Sequence, residues 1–387
     1  MLQSQRALFA MPREVCYLNA AAWGPLPLRS QDAGRIGVAR KGQPWTLDAG
    51  FPAEQYARAR TAAARLIGAA PADVALISSV SYGVATAAKL LRLAGGSRVL
   101  LLGDDHSSPV LEWLTRADAA DLAIEIVARP ADGDWTSALL DAIARKGAAP
   151  PALASIASVH WADGGVVDLD RVGAALRACG GALLVDATHG AGVMPLDVGT
   201  LDPDFLVFPT YKWVLGPYGR AFLYVARRHQ DGIPLEQTSY GRRGVSADQA
   251  PYLADLGFVA GAQRFDMGER DHFISLEMAA IGMEMVAEWG SAAITGRLAW
   301  LTGRLADGLR ALGVAVPNER LRAPHILSLA FPRGMPEGLV DRLAADNVHV
   351  AARLGRLRIS PHVYNDDADV DRFVTNFRRI LADTGRR

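Results

Sequence analysis

The sequence has little of what marks most specialised protein classes. Only two of its 387 residues are cysteine, Cys16 and Cys179, far apart in the chain, so disulfide frameworks and the common zinc spacings are excluded. Neither sign of charge is in excess: 41 Lys and Arg balance 41 Asp and Glu, whereas a nucleic-acid binder should carry a basic surplus. Uncharged apolar runs of about 18 residues are missing too, and Arg6, Arg13 and Glu14 interrupt any signal-like apolar core near the start. These absences leave no nucleic acid, membrane or metal as an expected partner, and they make the cytoplasm the expected compartment. What is present, 50% hydrophobic and 21% charged residues, is an ordinary globular composition, and the length suits two domains.

Short apolar runs alternate with helical patterns from Val74 onward. The runs are Val74–Ile77, Val99–Leu102, Ile124–Val127, Ala154–Val159, Ala182–Val185, Phe205–Phe208 and Ala221–Val225. Runs this short with no alternating polarity suit strands buried on both faces. Amphipathic stretches between them, such as Gly83–Leu91, Val110–Ala117 and Leu169–Ala178, predict an α/β fold with a mostly parallel sheet of seven strands. The last hundred residues read differently, with a long helix around Ile294–Leu312, strands near Ile326–Phe331 and Leu357–Ser360, and a closing helix from about Asp367. A large α/β domain with an N-terminal arm is therefore expected over residues 1–290, and a smaller α+β domain over 291–387. The stretch from Pro234 to Asp271, rich in Gly, Gln, Arg and Ser, reads as long surface loops.

Ligands of an open α/β sheet sit beyond the carboxyl ends of its strands. Polar groups follow five of the predicted strands: Ser78 to Gly83, His106 to Ser108, His160 to Gly165, Asp186 to His189, and Thr210 to Lys212. Asp186 directly follows one buried run, and Lys212 comes 26 residues later, just after the next. An amine and an acid at neighbouring strand ends are what pyridoxal phosphate needs, the lysine for a Schiff base and the carboxylate to keep the pyridine nitrogen protonated. A surface acid and a solvated lysine are the plainer alternative.

The runs Val185-Asp186-Ala187-Thr188-His189 and Tyr211-Lys212-Trp213-Val214-Leu215-Gly216-Pro217-Tyr218-Gly219, with Tyr17-Leu18-Asn19-Ala20-Ala21 and Arg358-Ile359-Ser360-Pro361-His362-Val363-Tyr364-Asn365, resemble the class V aminotransferase family, which also holds the cysteine desulfurases. The resemblance implies a fold type I enzyme with pyridoxal 5'-phosphate as cofactor. It implies catalytic roles for Lys212, Asp186 and His106, the last lying over the face of the ring. It places the phosphate turn at Ser79, Val80 and Ser81, where Val80 replaces a hydroxyl and an ordinary serine helix cap is the alternative. His189 would reach the ring hydroxyl and Tyr211 the phosphate. Arg358 would clamp a substrate carboxylate, with Asn19 and Trp161 also against the substrate and Arg353 or Arg242 as further candidates. For His160 a core role and a site role stand level. A homodimer is expected, with Arg270 or backbone amides, rather than Glu269, reaching the neighbouring subunit's phosphate.

Cysteine desulfurases need a cysteine on a loop upstream of the carboxylate arginine, and the segment from Val350 to Arg358 is short and holds none. The ending is closer to the isopenicillin epimerase-like and carbon–sulfur lyase branches, so the expected reaction is transamination or β-elimination on an amino-acid-like small molecule, not desulfuration. Epimerisation or racemisation is the alternative, and a non-catalytic pyridoxal-phosphate-binding protein the opposing class. Two further patterns are decoys: His189-Gly190-Ala191-Gly192 lacks the third glycine of a dinucleotide fingerprint, and Gly244-Val245-Ser246-Ala247-Asp248 lacks the last glycine of a nucleophile elbow.

Overall fold

A computed structural model describes residues 1–245 and 255–384. Ser246, Ala247 and Asp248 of the elbow-like pattern lie outside the described residues, as do 385–387. After a two-residue strand β1 (Cys16–Tyr17), the seven apolar runs form β2 (Val74–Ile77), β3 (Arg98–Leu102), β4 (Ala123–Val127), β5 (Pro151–Ala157), β6 (Ala182–Asp186), β7 (Phe205–Pro209) and β8 (Ala221–Val225). They build one sheet in the order β2-β8-β7-β6-β5-β3-β4. Only β8 runs against its neighbours, β2 and β7; the other pairings are parallel.

Burial on both faces explains the unbroken apolar runs. In β3, Leu100 and Leu102 enter one hydrophobic cluster while Val99 and Leu101 enter another on the opposite face, the two-residue alternation of a pleated strand between two layers of helices. Helices fall close to where the amphipathic stretches put them, at Val80–Leu90, Ser107–Arg116 and Leu169–Ala178. Each starts on a side-chain cap, from Ser79, His106 and Asp168 respectively, which satisfies one of the free N–H groups of the first turn.

The C-terminal part supplies a three-stranded antiparallel sheet of β9 (Leu327–Leu329), β11 (Ala351–Arg353) and β12 (Arg356–Ile359), in the order β11-β12-β9. Its helices are Ser291–Arg310 and Asp367–Thr384, with a shorter one at Leu339–Ala345. The remaining strand β10 (Val348–His349) pairs in parallel with β1. The N-terminal arm is thus hydrogen-bonded to the C-terminal part of the chain, and Asn19 continues the contact by bridging to Ser360. The Pro234–Asp271 stretch is only partly a surface loop. Its end forms a short 3-10 helix, Ala262–Phe265, with Ala262, Phe265 and Asp266 buried. There Asp266 takes a bidentate pair from Arg60 at 3.1 and 2.8 Å. Among the described residues no helix is long and apolar enough to cross a membrane.

The arm also braces the segment after β7. The Gly24 amide donates to the Tyr211 carbonyl at 2.8 Å, and a methyl group on Gly24 would sit 2.0 Å from the Lys212 carbonyl oxygen. Only a residue without a β-carbon allows the two backbones so close. Gly24→Ala should therefore destabilise the protein by about 1–3 kcal/mol, the usual range for overpacking, read as a lowered denaturation midpoint. An unchanged midpoint would show that the two segments can part freely.

Candidate active site

Parallel strands bring their carboxyl ends to one rim, and there the strand-end residues enclose a cleft of about 350 Å³. Lys212 and Tyr211 line it from the turn after β7, Asp186, Thr188 and His189 from the end of β6, and Trp161 from the turn after β5. Asp105 and His106 come from the end of β3, and Val80 from the helix after β2. Most residues singled out from the sequence therefore meet in one place. Ser79 and Ser81 are exposed beside Val80; the Ser79 hydroxyl accepts from the Tyr82 amide at 3.1 Å, as an ordinary helix cap does.

The Lys212 amine is buried. Its Nζ lies 3.3 Å from His189 Nε2, while His189 Nδ1 accepts from the Trp213 indole at 3.0 Å. With Nδ1 accepting, the neutral imidazole carries its proton on Nε2, which then donates to Lys212 Nζ. Only an unprotonated amine can accept that bond. Burial first, and the nearby Arg358 guanidinium second, push the Lys212 amine down to about 7, and burial holds His189 well below the usual histidine range. Two more enclosed histidines fix this turn from the C-terminal part of the chain. His325 donates to the His189 carbonyl at 2.6 Å, and His362 donates to the Trp213 carbonyl at 3.0 Å.

Asp186 is 5% exposed and takes the Thr188 amide at 2.8 Å. Burial raises its carboxyl above the ordinary range. His106 caps its helix through Nδ1, and its ring meets Trp161 edge-on at 5.7 Å. The Tyr211 ring lies 4.2 Å from that of Tyr218, which stacks on Trp23 at 5.3 Å.

Arg358 is almost fully buried in β12, and Nη1 donates to the Trp161 carbonyl at 2.6 Å. Its Nε is enclosed without a partner, and burial pushes the guanidinium down to about 9. Asn19 shows the same signature, an enclosed Oδ1 with no partner. The Arg358 donor left this way costs free energy that an arriving carboxylate would relieve, whereas the Asn19 oxygen can only accept and calls for a donor such as an amine N–H.

Several candidates are engaged elsewhere. His160 is fully buried, stacked on Trp135 at 4.9 Å and bonded to Asp163 at 3.0 Å, so of its two readings the core one matches its position. Arg270 pairs with Asp266 of its own chain and packs on Tyr56 and Tyr240. Arg242 bonds within its loop, and Arg353 gives Nη1 to the Ala352 carbonyl at 2.7 Å. Cys16 is buried, its thiol pushed far up by burial and the neighbouring Asp369.

Sequence reasoning passed over Asp105. Its Oδ1 accepts from the His106 amide at 2.7 Å, while Oδ2 is enclosed without a partner. Burial, reinforced by Asp186, pushes this carboxyl up to about 7 against the opposing pull of His160. An acid one residue before a candidate histidine was the available signal.

A family model described as Aminotransferase class-V matches residues 49–373. Among characterised sequences the chain is 27% identical to the kynureninase of Myxococcus xanthus, over 81% of this chain and 76% of that one. It is 25% identical to the isopenicillin N epimerase of Streptomyces clavuligerus, over 96% of both. Among solved structures, the apo cysteine desulfurase of Thermococcus onnurineus NA1 superposes with a TM-score of 0.83 at 21% identity, covering 99% of each chain. The cystine C–S lyase C-DES, in complex with its product cysteine persulfide, superposes with a TM-score of 0.83 at 18% identity, covering 95% of this chain and 98% of that one. At such identities the structures establish the fold, type I, and the family follows from the sequence match over most of the length: this chain belongs to the class V aminotransferases.

Proposed function

We propose that the protein is a pyridoxal 5'-phosphate-dependent enzyme that acts on an α-amino acid or related amine by transamination or β-elimination. The observation that carries this reading is the buried Lys212 amine, 3.3 Å from His189, in the same cleft as the buried Asp186 carboxyl. The residues fit the cofactor. Lys212 would hold it covalently, Asp186 would face the pyridine nitrogen, and His106 would cover the ring. His189 and Tyr211 remain within the cleft to reach its substituents, and the turn of Ser79, Val80 and Ser81 offers backbone amides at a helix N-terminus to the phosphate. When bound, pyridoxal phosphate supplies the electron sink that makes the α-carbon of an amine acidic.

The chain's own groups supply the rest. Arg358 binds the substrate carboxylate with a planar fork, beside Asn19, and so orients the α-hydrogen. Lys212, its amine brought down to about 7 by burial, takes that proton as general base. Trp161 ties the two tasks together, since its carbonyl holds Arg358 while its ring abuts His106. Cysteine desulfuration is not part of the reading, because neither cysteine lines the cleft and Cys16 is a buried thiol. Epimerisation is the second reading, favoured by the end-to-end match to isopenicillin N epimerase. A panel of amino acids separates these outcomes: lasting conversion to the pyridoxamine form marks transamination, and keto acid with ammonia marks elimination. Inverted substrate marks epimerisation. If no amino acid is turned over and none alters the spectrum, a non-catalytic role stands instead. A homodimer completes the proposal, motivated by exposed Leu28, Ile36, Val38 and Trp45 along one stretch of the arm and its helix.

Borohydride reduction should leave a pyridoxyl group on Lys212 by peptide mapping; a label on another lysine removes the assignment. Sedimented before digestion, the same protein should run as a dimer, and a species at the single-chain 41.3 kDa would discard that state.

Arg358→Ala should keep the cofactor spectrum and lose about 2–5 kcal/mol in kcat/KM, the range for removing one partner of a buried charge pair. For an amine lacking the carboxylate the loss should largely vanish. Equal losses for both substrates would put the clamp elsewhere.

Asp105 gives a pH dependence. A carboxyl at about 7 in the folded chain holds a proton that the unfolded chain has already released above the usual carboxylate range. Its contribution to stability is complete at low pH and is lost as pH rises through about 7. Asp105→Asn should therefore gain about 1–3 kcal/mol relative to the wild type between pH 5 and pH 8 in denaturant titrations. Parallel stability curves for the two proteins would mean that Asp105 is already ionised at pH 5.

A further inference from the structure

A second cleft, of about 1010 Å³, opens between the large domain and the small one on the far side of the Trp161 turn. The loop at 129–133 and residues Asp163 and Gly165 form one wall; the segment at 315–322 and Arg356 form the other. Its cations are unusual. Arg322 is 5% exposed, gives Nη1 to Thr302 Oγ1 at 3.2 Å and the Ala323 carbonyl at 3.4 Å, and has an enclosed Nε with no partner. Arg356 spends Nε and Nη2 on the hydroxyl and carbonyl of Ser328, at 3.1 and 3.3 Å. Neither forms an ion pair among the described residues. By contrast Arg60 and Arg98, as deeply buried as Arg322, each hold a carboxylate, Asp266 at 2.8 Å and Glu125 at 2.7 Å.

The carboxylates that face the cleft do not fill this need. Asp163 favours the charge on Arg356 from a distance without reaching it, its oxygens being committed to Arg129 at 3.4 Å, His160 at 3.0 Å and the Gly165 amide at 2.8 Å. Asp132 accepts the Asp134 amide at 3.0 Å. Glu319 favours the charge on Arg322 from a distance, without reaching it, and Arg310 opposes it. Burying a guanidinium without a counter-charge is costly, and a planar fork is best satisfied by an oxyanion.

We propose that this cleft binds a small polyvalent oxyanion, phosphate or a short dicarboxylate, between Arg322 and Arg356, with Arg129 at its edge. Arg356 and Arg358 lie two apart on β12 and so point to the same face. The occupant would therefore brace the strand that presents the carboxylate clamp. Through Arg129, which also approaches Asp104 at 3.6 Å, it would further brace the loop whose Asp104 carbonyl holds the Trp161 indole.

The test uses the full chain carrying borohydride-fixed pyridoxal phosphate, so that the cofactor's own phosphate site is filled. Inorganic phosphate and malonate are titrated separately at matched ionic strength against chloride, following the denaturation midpoint and bound anion by equilibrium dialysis. One anion per chain should bind in the Arg358→Gln protein, where the substrate clamp is gone, with a midpoint rise that chloride does not give, and whichever probe gives it identifies the source. Arg322→Gln and Arg356→Gln should each weaken binding about tenfold or more, as expected for a lost charged hydrogen bond, while Arg358→Gln leaves it intact. Should a glutamine variant fail to fold, Arg322→Lys keeps the charge without the fork and should still weaken binding. Responses equal to chloride, or binding lost only in Arg358→Gln, would overturn the proposal, the latter by placing the anion in the substrate clamp.

Discussion

The burial of the Lys212 amine, which favours its neutral form, is the constraint on which the site depends. An ammonium in this position would have to be buried without a carboxylate in contact, and the 3.3 Å approach of His189 would become a meeting of two donors. Trp213 settles the matter from the next residue along, because its indole fixes the imidazole tautomer. The surrounding layer exists to hold that indole: His362 takes hold of its backbone, and His325 packs edge-on against its ring at 4.4 Å. Burial depresses these two histidines to about 4 and about 3, so they stay uncharged beside an already cationic neighbourhood.

Opposing demands meet around Lys212. Asp186 and Asp105 are both carboxyls under pressure to keep their protons, and Arg358 is a cation under pressure to lose its own. Such mutual strain is common where groups await a charged ligand. Each would be relieved by a different part of an incoming molecule, which links the polarity of the cleft to the polarity of its occupant.

Much of the fold was legible in the sequence because a strand covered on both faces must be apolar throughout. All seven runs lie in the sheet, with ends shifted by at most a few residues. The reversed direction of β8 left no such trace, since its Ala-Phe-Leu-Tyr-Val reads the same either way. Nor did β1 and β10, two residues each, whose pairing joins chain segments more than 300 residues apart. In the site, motif residues were visible as motifs. Asp105 was not, because a Gly-Asp-Asp turn is ordinary, and its significance rests on an oxygen closed off from water in three dimensions. The burial of Asp266 was hidden for a related reason: its partner Arg60 lies 206 residues away in the chain.

The contact between the arm and the last strands has a consequence for how the molecule comes into being. Asn19 bridges to Ser360, and the Ala20 amide bonds to the Ser360 carbonyl, yet the same arm reaches Tyr211 a few residues later. A ribosome delivers the arm more than 300 residues before its docking strand. The sheet can assemble from sequentially nearby units while the arm waits, so closure of the lysine pocket must be a late event in biogenesis, governed by contacts of very high sequence separation. Translation products that stop before Ser360 would then hold the sheet but lack a finished pocket, which ties competence to bind small molecules to synthesis of that strand.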